Sequence, residues 1–391
     1  MIEQNWEETK EVLLEGLEGR NRDVTQVLME NEKKYLAETA AASATATGNV
    51  ARLEKLVMPM IRRVTPATIA MELVGVQPMT QPVGQITSLR VRYAETIATG
   101  GPTAGDEAMG VNVYDKYSLI ASGEAYTASD ARTDAQITSV LESDIGNEMN
   151  LEIVKKTIEA KSRKLHAKWT IEADQDAKAM HGIDIEQELV SALSDEIIRE
   201  LDRELLGNLT NLAGTIKSFD FTNADGRHSS EKFTALTIGI SDLSNQIAVK
   251  CKRGGATWMV ISPNMLVALR HANNGAFVPA TASADMNPSS TLFVGTFNGS
   301  VRVYVDIYAT SSDTVLMGYK GTSEIDTAYV YAPYVPLMQS GVITDPDTFD
   351  PRIGLLSRYA LAQFDNSTTD LGNSSDYYGR ATVSNLSLGG F

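Results

Sequence analysis

Four histidines, one cysteine and a sorting of charge along the chain are the features from which this 391-residue sequence could build chemistry. A metal centre needs imidazole or carboxylate ligands converging at set spacings. His166, His181, His228 and His271 stand in no His-Glu-x-x-His or Glu-x-x-His frame. "HGIDIE" (181–186) places acids beside His181, which reads as a helix entry, where acids meet the positive end of the dipole. Cys251 has no second cysteine to pair with and reads as a small buried hydrophobe. Neither a Gly-x-Ser-x-Gly elbow nor a Gly-x-Gly-x-x-Gly turn after a strand occurs. The Gly-rich stretch 98–110 lacks the Gly-Lys-Ser/Thr ending of a phosphate loop and reads as a loop tip. No catalytic, cofactor or metal site is expected.

The charge sorting is more informative. "IEAKSRKLHAKWTI" (158–171) is basic in a chain of formal net charge -16. Such a chain repels phosphate backbones as a whole, so general nucleic-acid binding is a poor expectation. Leu165, Ala167, Trp169 and Ile171 alternate with Lys164, His166, Lys168 and Thr170, the period of a half-buried strand with a basic outer face. Trp169 then points away from Lys164 and Lys168, so stacking and charge cannot cooperate on a single strand of nucleic acid. "LRVRY" (89–93) repeats the pattern with Arg90 and Arg92 outward. Even-numbered apolar residues at Val154, Ile158 and Ala160 give way to odd ones after Lys164, which predicts a bulge or bend near Ser162 to Lys164.

These strands need elements to hold them. From about residue 183, Ile185, Leu189, Val190, Leu193, Ile197, Leu201 and Leu205 form one apolar stripe of a long helix without Pro or Gly before Gly207. Asp184, Glu186, Glu188, Asp195, Glu196, Glu200, Asp202 and Glu204 occupy its other faces, relieved by Arg199 and Arg203, and read as solvated or interface carboxylates. Residues 1–40 read as two amphipathic helices and 37–49 as a joint. A further helix is expected from Val50 to Val64, ended by Pro66. Later come a buried strand "ATWMVIS", a helix opened by Ser262 and Pro263, strands "VRVYVDIYA", "TVLMGY" and "AYVYAPYV", and an Asn/Ser-rich tail with one strand-like run, "RATVSNL". No secretory signal or long apolar span is evident.

Three ordered blocks carry a resemblance: "LVMPMIRRVTPATIAMELVGVQPMTQPVGQITSLRVRY" (56–93), "TIEAKSRKLHAKWTIEADQDAKAMHGIDIEQELVSALSDEIIRELDREL" (157–205), and "FNGSVRVYVDIYATSSDTVLMGYKG" followed by "YAPYVPL" and "FDPRIGLLSRYALA". They resemble the T-even-type tailed-phage major capsid proteins. The resemblance implies an α+β, Hong Kong 97-like phage capsid fold with an N-terminal arm, an extended β-hairpin loop, a peripheral domain with a long spine helix, and an axial domain. On it, 1–49 map to the arm and joint, 50–84 to the first peripheral part, and 85–172 to the extended loop. Residues 173–255 map to the spine helix and peripheral domain, 256–334 to the axial domain, and 335–391 to the return and tail. Two departures stand out: the chain is short between Tyr93 and Asn150, and the tail after Phe364 has no evident counterpart. Leu-x-Glu triplets of the kind a head protease cuts end at Glu15, Glu30 and Glu38.

The implied function is structural. The chain is expected to self-assemble into hexameric capsomers of an icosahedral head, and into pentamers unless a separate vertex protein supplies them. The head encloses DNA without reading its sequence and sits in the virion after assembly in the host cytoplasm. Vertex, portal, scaffold and decoration proteins are the implied partners, and no membrane is involved. Arg90, Arg92, Lys161, Arg163, Lys164 and Lys168 are expected to dock on a neighbouring subunit's acids, with Glu196, Glu200 and Glu204 as the counter-surface. A nanocompartment shell of the same fold is the alternative, and a soluble hydrolase the remote one.

Overall fold

The computed structural model describes residues 10–11, 13–14, 17, 19, 21–31, 68–96, 103–106, 108, 117, 147–182, 184–221, 229–272, 275–280, 291–309, 313–322, 326–364 and 373–386. Two sheets, a two-stranded ribbon and the helices over them make an α+β architecture. The helix expected from Val50 to Val64 lies outside the described residues, as does most of the stretch between Tyr93 and Asn147.

Helix α1 (residues 21–31) buries Val24, Thr25, Leu28 and Met29 in the main core, and Asn31 Nδ2 donates to Met79 O at 2.9 Å. Residues 21–31 are therefore packed on their own chain. Strand β1 (Gly75–Val76) follows, then β2 (Val83–Tyr93), which pairs antiparallel with β3 (Met149–Glu159) along its whole length, Val83 opposite Glu159 and Tyr93 opposite Met149. These two strands form the ribbon. Ala160 interrupts the chain, and β4 (Lys161–Lys168) then leaves the ribbon. The parity slip is thus a break just before Lys161, slightly earlier than the residues Ser162 to Lys164 suggested.

Helix α2 (Ile171–His181) is capped by Thr170 and closed by Gly182, whose φ of 67° lets the chain reverse. Asp184 then caps α3 (Ile185–Leu212), the long helix, which runs through Gly207 for 28 residues. Its stripe serves two cores. Ile197 and Ile198 meet Leu337 and Leu355, while Leu201, Leu205 and Leu209 enter the main core.

The seven-stranded sheet runs β5-β14-β10-β6-β9-β8-β7. Its members are β5 (Thr215–Asp220), β6 (Trp258–Ile261), β7 (Phe277–Pro279), β8 (Thr291–Phe297), β9 (Val301–Asp306), β10 (Asp313–Gly318) and β14 (Tyr378–Ser384). β6 is buried at every residue, as expected of a central strand covered on both faces. Helix α4 (Ser229–Cys251) lays Leu236, Ile240, Leu243 and Ile247 into the same core, a stripe of four-three-four spacing. Ser262 caps α5 (Pro263–His271) by accepting from Met265 N, with Pro263 in the first turn, as read from the sequence. Asn298 and Gly299 both take positive φ in the tight β8–β9 turn, where Asn-Gly is the favoured pair.

The second sheet orders β1-β11-β13-β12, with β4 also on β13. β11 (Tyr329–Gln339), β12 (Ile343–Thr344) and β13 (Pro351–Gln363) complete it. The β11–β13 register shifts between Pro333 and Val335 and again between Val335 and Met338, flanking prolines that cannot donate to a ladder. The tail, which had no evident counterpart, supplies β14 between β10 and β5: Ala381 pairs with Val315 on one side and Lys217 on the other. It is an interior strand of the larger sheet.

Candidate assembly site

β4 carries Lys161, Arg163, Lys164 and Lys168, four of the expected assembly contacts. The sequence made it one limb of an extended loop beside "LRVRY". The structure pairs 89–93 with 149–153 instead, and sends β4 to β13, Arg163 opposite Ser357 and Ala167 opposite Ile353. The alternation nevertheless holds, because parity depends only on the strand's own pleat. Leu165 packs towards Leu193, Ile197 and Leu355, while Lys164, His166 and Lys168 face outward.

Arg163 shares the parity of Leu165, so it turns inward and not outward. Its Nη1 donates to Glu200 Oε2, Nη2 to Glu204 Oε2 at 2.5 Å, and Nε to the Tyr359 hydroxyl at 3.0 Å. The Tyr359 hydroxyl donates to Glu204 Oε2 at 2.6 Å. Glu200 and Glu204 are one turn apart on α3, the spacing that brings two carboxylates to one guanidinium fork. Burial alone would pull the Arg163 pKa down; the bonds to Glu200, Tyr359 and Glu204 outweigh it and hold the group above its ordinary value. Burial, and then the bond to Glu204, push the Tyr359 hydroxyl up to about 12. The cluster is an ionic staple joining β4, α3 and β13.

The other expected contacts divide. Arg92 is paired with Glu152 on the ribbon and donates to Gly105 O at 3.2 Å. Arg90 stands opposite Glu152 in the register. Lys168 lies 2.7 Å from Asp350, whose carboxyl it holds below the usual range, and Glu196 lies 2.6 Å from Arg199 on the same helix. Lys161 and Lys164 are exposed, with no ion-pair partner among the described residues. The expected counter-surface, Glu200 and Glu204, is occupied by Arg163 of the same chain.

Three features escaped the sequence reading. Asp202, placed there among the solvated carboxylates, is fully buried, because it follows Ile198 by four and precedes Leu205 by three on the apolar stripe. Most of the Gly-rich stretch 98–110 lies outside the described residues, but Gly105 N donates to Tyr93 O, Tyr93 N to Asp106 O and Ala108 N to Val91 O, so residues 103–106 and 108 run along the outer edge of β2. Third is the ribbon's apolar side. At its root Ile86 and Ile158 are buried against Val330, Ala332 and Ala360 of the sheet. Farther out, the apolar residues move to the other face, where Tyr93 and Val91 are covered by Ala108 and Tyr117. Met149, Leu151 and Ile153 on that face are 50%, 65% and 56% exposed. Their spacing of two, alternating with Asn150 and Glu152, was the signal in the sequence. Beside the ribbon root, a cleft of about 810 Å³ is lined by Lys156, Ile158, Lys161, Tyr329 and Leu361, with Lys156 Nζ on Gln363 O at 2.6 Å.

No group of three or more His, Cys, Asp or Glu residues that could hold a metal occurs among the described residues, and no described helix is long and apolar enough to cross a membrane. A part-exposed ionic staple, a two-stranded ribbon with an exposed apolar strip and a long helix bridging two cores are architectural features. The chain belongs to the major capsid protein Gp23 family, whose model matches residues 50–383 and so includes nearly all of β14. It is 31% identical to the major capsid protein of Enterobacteria phage T6, covering 86% of this chain and 83% of that protein. With the major capsid protein of Vibrio phage KVP40 it shares 29% identity, over 88% and 82% of the two chains. It is a major capsid protein, a structural component of a tailed-phage head, and not an enzyme. These relatives favour the phage head over the nanocompartment. A solved chain from the capsid of Myoviridae phage XM1 is similar at a TM-score of 0.44 and 10% identity, over 79% of this chain and 89% of that one; the family assignment rests on the sequence matches.

Proposed function

We propose that copies of this chain assemble into hexameric capsomers, with pentamers from the same chain or from a separate vertex protein, by laying the ribbon across a neighbouring copy. The uncovered strip Met149, Leu151 and Ile153 carries the reading, since three large apolar side chains in a row on one face of a two-stranded ribbon are unfavourable in water. Burying such residues contributes about 1.5–3 kcal/mol each, and a closed shell repeats the contact many times. In this reading β2 and β3 form the extended loop, α3 the spine, and the seven-stranded sheet the axial part. Arg90 and Arg92 lie on the ribbon beside the strip, Lys161, Lys164 and Lys168 lie on β4 beyond the ribbon's root, and in this reading all five meet a neighbour's acids. Arg163, Glu200 and Glu204 set the ribbon's root, and Glu196 stays available through a single partner on its own helix. Portal, scaffold and decoration proteins complete the head, and a wall of chains each of net charge -16 encloses DNA without adhering to it.

The test is Leu151→Glu with Ile153→Glu, read by negative-stain microscopy and sedimentation beside the wild-type chain. Both side chains are exposed, so circular dichroism and the unfolding midpoint should be unchanged while closed shells disappear. Shells at wild-type yield from the double variant would overturn the ribbon contact.

A further inference from the structure

Among the described residues, helix α2 packs no buried side chain on the rest of the chain, and Lys178 near its end lies 3.7 Å from Asp184. None of its 11 residues is buried, yet it is capped at both ends and followed by a left-handed Gly182. Isolated helices shorter than about 12–15 residues are marginal in water, and helices in folded proteins are held chiefly by a packed face. A face is present: Ala173, Ala177 and Met180 recur at i, i+4 and i+7, and Met180 is 80% exposed. Glu172 and Asp176 run along one flank of that stripe, without partners among the described residues, whereas Asp174 on the other flank is paired with Lys178 at 2.8 Å.

The complementary surface lies on the same chain but is not used by it. Lys164 and His166 on the outward face of β4, and Lys161 at its start, are exposed and likewise lack partners among the described residues. α2 follows β4 through Trp169 and Thr170, and no ion pair joins the two among the described residues. Two adjacent segments thus carry opposite, unsatisfied charge.

We propose that α2 is covered by a second copy of this chain, its Met180 stripe and the Glu172/Asp176 flank seated against the Lys161, Lys164 and His166 face of β4 in the neighbour. The contact is heterologous, with one patch meeting a different patch on the next copy, so that repetition closes a ring. It deepens the shell reading and rests on it, adding a named donor and receiver at a place separate from the ribbon strip. Complementary charge at such a contact selects the neighbour and its register more than it adds affinity.

The experiment is a charge swap on the full chain. Glu172→Lys with Asp176→Lys should lower the yield of closed shells at least ten-fold by sedimentation and negative stain, with an unchanged urea unfolding midpoint, because neither residue is buried. Adding Lys161→Glu and Lys164→Glu should restore shells, since every copy then carries the reversed pair. Met180→Gln, a milder change that keeps every charge, should give a partial loss. Wild-type yield from the Glu172/Asp176 variant, or no recovery in the fourfold variant, would overturn the proposal. If the ribbon variants abolish shells while the α2 variants do not, the α2 contact fails and the shell reading stands. If the wild-type chain forms no shells, both fall.

Discussion

Arg163→Glu is expected to destabilise the folded chain by about 2–3 kcal/mol, before any question of assembly arises. The substitution removes the cation shared by Glu200 and Glu204 and sets a third carboxylate between them, against the Tyr359 hydroxyl. Removing one partner of a buried charge pair costs about 3–5 kcal/mol. The Arg163 side chain is 29% exposed, so water relieves part of that penalty. Arg163→Lys should cost less, about 1 kcal/mol, since an ammonium keeps the charge but cannot span two carboxylates and a hydroxyl as a planar fork does. Urea unfolding of the unassembled full chain is the measurement, with Arg163→Glu/Glu204→Arg expected to recover part of the loss. If Arg163→Glu leaves the unfolding midpoint unchanged while shells are lost, the residue acts between subunits, as the sequence alone suggested, and the staple is wrong.

Asp202→Asn is expected to stabilise the chain, and more so at pH 8 than at pH 5. Asp202 is buried on α3; its Oδ1 accepts from Ile69 N at 3.2 Å, while Oδ2 meets no donor among the described residues. Burial raises its pKa from 3.8 to about 8; the Ile69 bond opposes the shift and nearby Asp306 adds to it. The folded chain therefore keeps this proton after the unfolded chain has released its own. Where the native state binds more protons, stability falls as pH rises. The contribution is complete below about pH 4 and is lost progressively until the pH passes about 8. Asn offers the same acceptor to Ile69 and cannot ionise, so this slope should vanish, with a gain of about 1–3 kcal/mol at pH 8. Unfolding midpoints at pH 5, 6, 7 and 8 for both chains check it; parallel curves would show that Asp202 does not hold its proton. Asp306, itself raised chiefly by burial, and Tyr331 on β11 face the same interior, so Asp306→Asn belongs in the comparison.

Much of the site could be read from local pattern. The stripe from Ile185 to Leu205 announced the long helix, and the apolar alternation through Leu165, Ala167 and Trp169 announced a strand with one basic face. Arg163 was within reach of the same reasoning, since its odd number places it with Leu165 and not with Lys164. Asp202 was harder: it sits at the edge of the stripe, where burial depends on what packs there, and Ile69 lies 133 residues away in sequence.

By itself, then, the sequence determined conformation, facing and family. The stripe of α3, the alternation of β4, the Ser262 cap and the three ordered blocks each depend on residues close in the chain; the helix, the strand and the cap are found in the fold, and the family model covers the blocks. Only the tertiary structure decided partners. Backbone ladders carry no residue code, so nothing local told β4 to leave "LRVRY" for β13, or the tail strand to enter between β10 and β5. Burial of a side chain at a stripe's edge is set by the element that arrives from elsewhere. That is why the basic face was legible as a surface, while its inward arginine, already matched to Glu200 and Glu204, was legible only in the fold.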